Sequence, residues 1–266
     1  MTTLLMCEPE FFDVKYVINP WMEGNVHKVD PKVAKEQWYA LYGIVSDICS
    51  VRLIKPQEGL PDMVFTANAA LCLPSDQAAI ISQFAVTERH PETEHFRSWF
   101  EFNGWKVYDV GMPFEGAGEC LSDDLNYFWY GYGYRGTYET YNTLRKLIGT
   151  NIVPLQLVNP RFYHLDTCFC PLPTGHVLYY PDAFDMPSQL QIERRFGHKA
   201  IAVNDKDAEQ FVCNAVCVKD KIIVSSMSQS LEAKLWSEGY IHVVRTPLTE
   251  FIKAGGSAKC LTLQLS

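Results

Sequence analysis

The sequence predicts an α/β protein in which one unit, a hairpin of two short apolar strands, a helix and a further strand, repeats and closes into a pseudo-symmetric five-bladed α/β propeller. Three observations lead there. The order hairpin, helix, strand recurs along the whole chain, and helix starts recur at roughly 40 to 60 residues, the period of a repeat architecture. Four candidate reactive residues, Asp62, Glu115, His164 and Cys260, fall at the same point of four different units, after the last strand and before the next hairpin. In a closed ring those connections converge on one mouth. An open α/β sheet is the alternative that pattern alone allows.

Pro31 opens the first helix, where Val33, Trp38, Leu41, Ile44, Val45 and Ile48 fall roughly at helical spacing, and a strand at 51–54 follows. The second unit has strands at 69–73 and 79–82 across the turn Pro74-Ser75-Asp76, a helix at 92–103 and a strand at 105–110, with Gly104 where a helix-ending glycine belongs. The third has strands at 119–121 and 127–132, a helix at 138–148 closed by Gly149, and a strand at 152–157. In the fourth, strands at 168–172 and 177–180 flank Pro173-Thr174-Gly175, and a helix at 187–196 ended by Gly197 leads to a strand at 200–203. The fifth has strands at 215–219 and 221–225, a helix at 228–238 ended by Gly239, and a strand at 240–244. Only the first unit lacks its own hairpin. A strand after Cys260 supplies it by pairing with residues 4–7, which closes the ring.

At 266 residues and 47% hydrophobic content, with no linker-like stretch, the chain reads as one domain over 1–266. A net charge of −8 and a pI near 5.4 argue against nucleic-acid and anionic-membrane partners, which favour a basic face, and suit a small cationic ligand. No charged leader precedes an apolar run and no apolar run approaches the ~20 residues of a membrane span, so the expected location is cytoplasmic. Nine cysteines, an odd count, read as reduced thiols. Neither Cys168-Phe169-Cys170 nor Cys213-x-x-x-Cys217 has zinc-ligand spacing, so no metal or other cofactor is expected. Self-association is left open. The aromatic run 127–134 reads as a packed strand or as a pocket wall.

A thiol, an imidazole and carboxylates are the parts for covalent attack on an electron-poor carbon. Cys260 follows two glycines in Gly255-Gly256-Ser257-Ala258-Lys259-Cys260 and is the candidate nucleophile. His164 is the candidate acid and base, and in an extended chain Asp166, two residues on, points to the same side. Glu115 would orient His164. Each has an ordinary alternative: a buried small cysteine, a structural histidine, a loop carboxylate.

The segments Pro61-Asp62-Met63-Val64-Phe65-Thr66-Ala67-Asn68, Phe114-Glu115-Gly116-Ala117-Gly118-Glu119, His164-Leu165-Asp166 and 255–260 resemble, in order, the four signature segments of the guanidine-modifying superfamily, the penteins. That superfamily includes arginine deiminases, amidinotransferases and dimethylarginine dimethylaminohydrolases. Stretches 16–25, 161–171 and 247–262 resemble more particularly the arginine dihydrolase domain at the N-terminus of some cyanobacterial bifunctional proteins. The resemblance implies a nucleophilic Cys260, with His164 and Glu115 as its catalytic partners. It implies substrate contacts from Asp166, Asp62, Asn68, Phe65, Asn19, Arg135 and Arg89. Asp166 and Asp62 are candidates to cradle a guanidinium, a planar fork of donors, with the α-amino group as the alternative partner of Asp62. Arg135 and Arg89 match residues that hold the substrate α-carboxylate, though either reads locally as a surface arginine. Asn19, in an Asn-Pro pair, is a second site amide or a turn opener.

Asn68 departs from the deiminase pattern, which has aspartate there. A carboxylate only accepts hydrogen bonds, whereas a carboxamide donates as well and suits both arginine and the ureido oxygen of citrulline. A loop cap is the alternative. Asp166 argues against methylated arginines, because that branch generally lacks an acid at this position. The expected function is a cofactor-independent arginine dihydrolase that yields ornithine, carbon dioxide and ammonia. The alternatives are a deiminase stopping at citrulline, a dimethylarginine hydrolase, an amidinotransferase, and a chemically inert module of the ribosome-associated translation factor type. Because the chain ends soon after Cys260, no coupled second activity is expected in it.

Overall fold

In the computed structural model, which describes residues 2–123 and 127–266, each unit folds around a central strand that pairs antiparallel on one side and parallel on the other. The first blade centres on β1 (Thr3–Cys7), with helix α1 (Pro31–Ser46) leading to the parallel β2 (Ser50–Ile54). The second has β3 (Ala70–Leu73), β4 (Ala78–Ile81), α2 (Glu92–Phe102) and β5 (Lys106–Asp109). The third has β6 (Cys120–Ser122), β7 (Phe128–Tyr132), α3 (Tyr138–Ile148) and β8 (Ile152–Gln156). The fourth has β9 (Phe169–Pro171), β10 (Val177–Tyr179), α4 (Met186–Phe196) and β11 (Ala200–Ala202), followed by a short α5 (Asp205–Glu209). The fifth has β12 (Val216–Val218), β13 (Lys221–Val224), α6 (Gln229–Ser237) and β14 (His242–Arg245), then α7 (Thr249–Ile252). A parallel pair needs a long crossover, and in every blade the helix is that crossover.

The last strand, β15 (Leu263–Gln264), pairs antiparallel with β1 in the register Leu4↔Gln264 and Leu5↔Leu263. It takes the place that β3, β6, β9 and β12 hold in the other blades. The expected closure of a five-bladed ring through the two ends of the chain is the observed one.

Helix starts follow the caps. Asp30 accepts from the Lys32 and Val33 amides with Pro31 at the first helical position, and Thr137, Asp185 and Ser228 cap α3, α4 and α6. Gly149, at φ 93°, ends α3 in a conformation that side-chain-bearing residues rarely adopt. The buried positions of α1, Ala34, Trp38, Leu41 and Val45, form one stripe, and α2, α4 and α6 repeat the device with Phe96/Phe100, Ile192/Phe196 and Leu231/Leu235. The core lies between blades. One cluster joins α1 and β1 to β12, β13 and Phe251; another joins Leu5 and Cys7 to Phe96 and Leu263. Truncating Trp38 or Phe96 to alanine would cost about 3–5 kcal/mol, the usual price of such a cavity.

Expected and observed elements agree to within a few residues, but α5 and α7 were not expected. The connections at the mouth differ more. Residues Pro61–Val64, Thr66–Ala69, Gly116–Gly118 and Leu165–Thr167 form 3-10 turns. The stretch after His164 is therefore not extended: the Thr167 amide and hydroxyl both donate to the His164 carbonyl, at 3.2 and 2.6 Å, and wind it into a turn. In the aromatic run, Trp129 and Tyr130 are packed in β7, and Tyr134 is exposed.

Candidate active site

Cys260 is buried, and its sulfur sits between two side chains. Asn214 Nδ2 donates to Sγ at 3.1 Å, and the thiol donates to Asp166 Oδ2 at 3.3 Å. Burial first, and then the Asp166 charge, push the thiol well above its ordinary range. Burial likewise raises the Asp166 carboxyl, while His164 and Lys259 pull it back. The two glycines before the cysteine have a steric cause. A Cβ on Gly256 would lie 2.5 Å from Phe65 Cε1, and Gly255 has φ 83° with a virtual Cβ 2.9 Å from Asn19 Oδ1.

His164 Nε2 bonds Glu115 Oε2 at 2.8 Å, the contact expected of an orienting carboxylate. Glu115 also receives Arg135 Nη1 at 2.9 and 3.1 Å and the Ala85 amide at 3.1 Å. Burial opposes its charge, but Arg135 and His164 outweigh that and hold its carboxyl well below the usual range. Glu119 accepts the Glu115 amide at 2.7 Å and, buried beside that charge, is pushed the opposite way.

Asn68 Oδ1 accepts from Arg89 Nη1 at 2.9 Å, and Arg89 is in turn held by Glu92 through Nε at 3.0 Å and Nη2 at 2.8 Å. An arginine has only donors, so this pairing fixes which way the Asn68 amide faces. Its Nδ2 is buried without a partner. A Cβ on Gly118 would come within 2.3 Å of that nitrogen and 3.3 Å of His164 Nδ1, so this turn requires glycine. Asp62 uses Oδ2 to accept from the Tyr16 hydroxyl at 2.6 Å and leaves Oδ1 unpaired. Asp166 Oδ1 and Ser257 Oγ are also unpaired and buried.

Asn19, Asp62, Phe65, Asn68, Arg89, Arg135 and Cys260 all line one small cavity with about 10 Å³ of free volume, roughly one water's worth. Asp166 stands against the Cys260 sulfur, and His164 and Glu115 form a buried pair linked to Arg135. Asn19 lines the cavity and opens a turn: Oδ1 caps the turn Pro20–Met22, while Nδ2 donates to the Ala254 carbonyl and the Tyr163 hydroxyl. Neither arginine is a surface residue. Arg135 is engaged by Glu115 and the Ile18 carbonyl and stacks over Tyr163 at 4.8 Å; Arg89 is engaged by Glu92, Asn68 and the Asp62 carbonyl.

Sequence reasoning missed Tyr16, Glu92 and Asn214. Asn214 sits between two cysteines that drew notice only as a possible metal pair, and nothing local marks it. Among the described residues, no group of three or more His, Cys, Asp or Glu side chains is disposed to hold a metal ion. None of the described helices is long and apolar enough to cross a membrane.

The family model described as eukaryotic N,N dimethylarginine dimethylhydrolase matches residues 23–266. Over 99% of its length the chain is 49% identical to the bifunctional arginine dihydrolase/ornithine cyclodeaminase ArgZ of Synechocystis sp., and it spans 37% of that protein. It is 36% identical to the N(G),N(G)-dimethylarginine dimethylaminohydrolase of Mycobacterium tuberculosis, over 98% of this chain and 84% of that one. Crystal structures of the ArgZ N-terminal domain, one covalently bonded to a reaction intermediate and one bound to substrate, superpose with TM-scores of 0.97 at 48% identity, covering 100% of this chain and 98% of each.

Proposed function

The chain belongs to the N,N dimethylarginine dimethylhydrolase family, and on that premise we propose that it is an arginine dihydrolase, converting L-arginine and two waters to ornithine, carbon dioxide and two ammonia molecules. The ring from β1 to β15 acts as one catalytic domain, in the cytoplasm, where a thiol such as Cys260 stays reduced. What carries the reading is the set of buried, unpaired polar atoms around Cys260: Asp62 Oδ1, Asp166 Oδ1 and Asn68 Nδ2. Such groups cost stability unless a ligand meets them.

Burial and Asp166 favour the protonated thiol, and a guanidinium reverses that balance. Placed against Asp166 and Asp62, it brings positive charge to a sulfur whose burial and acidic neighbour oppose ionisation. The thiol proton passes to His164 as the sulfur attacks the guanidinium carbon, and His164, poised by Glu115, gives a proton to the departing ammonia as its C–N bond breaks. The same imidazole takes a proton from water, which attacks the adduct carbon; the C–S bond breaks and citrulline forms. A second round on the ureido carbon expels the second ammonia, and hydrolysis of that adduct releases carbon dioxide and ornithine.

Asn68 separates this reading from a deiminase. With Oδ1 already committed to Arg89, the group it offers the cavity is an N–H donor. A donor suits the ureido oxygen of citrulline, where an aspartate would repel it. The deciding experiment incubates purified protein with arginine in metal-free buffer and quantifies ornithine, citrulline and ammonia. Ornithine with two ammonia per arginine is expected. Citrulline with one ammonia would make the protein a deiminase, and no product would end the reading. ArgZ, named as an arginine dihydrolase and captured with a covalent intermediate, supports the proposal.

A further inference from the structure

We propose that Asn214 is the positioning residue that fixes the Cys260 thiol and supplies the hydrogen bond that stabilises its thiolate, an inference that rests on the reading of Cys260 as nucleophile. The ring's own symmetry leads to it. Asp62, Glu115, His164 and Cys260 occupy the connections that precede β3, β6, β9 and β15. The remaining connection precedes β12, and Asn214 lies in it, two residues before the strand, as Asn68 lies two residues before β3. Each of the five blades thus delivers a polar side chain to one mouth.

A carboxamide has two acceptor lone pairs and two N–H donors. Asn214 is fully buried and uses all four. Oδ1 accepts from the Ser257 amide at 3.0 Å and the Cys260 amide at 3.1 Å; Nδ2 donates to the Asp166 carbonyl at 2.9 Å and to Cys260 Sγ at 3.1 Å. Its main-chain carbonyl also accepts from the Lys259 amide at 3.1 Å. The amide cannot turn over, because its NH2 would then face two backbone N–H groups. One side chain therefore ties together the nucleophile, the turn that presents it and the backbone of Asp166.

The polarity of these bonds bears on the chemistry. The sulfur accepts from Asn214 and gives its own proton toward Asp166. Once that proton leaves, the Asp166 carboxylate opposes the new charge and the Asn214 N–H favours it. The substrate's cation supplies the remainder only while substrate is bound, whereas Asn214 is a fixed part of the fold.

The test uses Asn214→Asp, which retains an acceptor for the Ser257 and Cys260 amides and removes both donors. Alkylation of the Cys260 peptide by iodoacetamide is followed by mass spectrometry across pH. The expected result is a midpoint raised by about one unit or more, with kcat on arginine reduced about 100-fold, the scale for losing one preorganised donor, and KM changed little. Asn214→Ala is the companion. A merely structural role would lower its melting temperature and leave the alkylation midpoint in place, and an unmoved midpoint in either variant overturns the proposal. Should neither variant fold, the parent protein decides: the Asn214 side-chain amide resonances in its NMR spectrum should titrate with the Cys260 alkylation midpoint, and resonances that stay still overturn the proposal. Alkylation and NMR need no turnover. A parent protein inactive on arginine would therefore remove the functional reading, and a turnover-competent protein with an unmoved midpoint would remove only this one.

Discussion

Two of the cavities in the ring, one among its inner strands and one among the connections at its mouth, differ in a way that size does not show. The larger, about 400 Å³, is lined from all five blades by residues that include Cys72, Cys120, Cys170, Cys213 and Cys217. The smaller, at Cys260, has about 10 Å³. Yet Asp62 Oδ1, Asn68 Nδ2, Asp166 Oδ1 and Ser257 Oγ, buried and without partners, belong to the smaller region, and no residue lining the larger one contributes such an atom among those described. Each orphaned group costs about 1–3 kcal/mol; Trp38 Nε1, Ser82 Oγ, Arg195 Nε and Thr246 Oγ1 are further examples that line neither cavity, whereas four gather around Cys260. What sets the smaller region apart is this cluster of unsatisfied polar atoms and not its volume.

The sharpest way to break that comparison is to remove one thiol from each region. Cys260→Ser is expected to lower turnover by about 10⁴-fold or more, as loss of a covalent nucleophile does. Cys217→Ser, at the larger cavity, should leave it within about twofold. Parallel assays of ammonia release check both, and comparable losses would mean that the larger cavity shares in the chemistry.

Glu115→Gln should have the next largest effect. It leaves the buried Arg135 without a charged partner, which costs about 3–5 kcal/mol of stability, and it weakens the hold on His164. The pH dependence has a definite sign. Glu115 has a depressed carboxyl in the fold, so its stabilising contribution is complete above the ordinary carboxylate value of 4.5 and is lost as pH falls below it toward the folded value. The gap in melting temperature between parent and variant should thus be widest near neutrality and narrow below about pH 4.5. Thermal melts across that range test it, and a constant gap would show that the Glu115 charge is not what the fold uses.

Why Glu115 was legible in the sequence and Asn214 was not is a matter of range. Strands and helices announce themselves locally, by apolar alternation, by Pro31, and by glycines such as Gly149, and those elements stand where they were expected. Glu115 and His164 stand out by their place before a hairpin and by the signature segments they resemble. The geometry between them is not local: Glu115 meets His164 and Arg135 because neighbouring blades pack side by side. The same-side placement of His164 and Asp166 was expected from an extended chain, but the stretch after His164 is a 3-10 turn wound by Thr167 and does not have that geometry. Asn214 carries no signature at all. Only the five-fold frame, in which four connections already held a reactive residue, points to the fifth.

Asn68→Asp sharpens the comparison within the smaller region, because it changes what an unsatisfied atom offers rather than removing it. The variant should still turn arginine to citrulline, while citrulline hydrolysis should fall about 100-fold, the scale for a lost hydrogen bond to a developing charge of 2–3 kcal/mol. Arg89 would hold the new carboxylate as it now holds the amide oxygen, so the fold should tolerate the change. Ornithine yield per arginine measures it. An unchanged yield would show that another group carries the ureido oxygen.

The smallest effect tests whether charge, and not access, governs the Cys260 thiol. Burial and then Asp166 raise that thiol, so it is protonated at neutral pH, and its alkylation by a neutral reagent should climb with pH past the ordinary thiol range. Chloroacetamidine and chloroacetamide are alike in size, but the amidine carries the positive charge that Asp166 is placed to meet. At pH 7 the amidine-to-amide rate ratio at Cys260 should exceed the ratio at Cys217 by about tenfold, the effect of one unit of thiol ionisation. Using Cys217 as the internal reference cancels the intrinsic difference between the reagents. The excess should shrink as rising pH ionises the thiol without help. An equal ratio at the two cysteines would mean that the Cys260 site does not recognise a cation, and the difference between the two regions would then be one of packing alone.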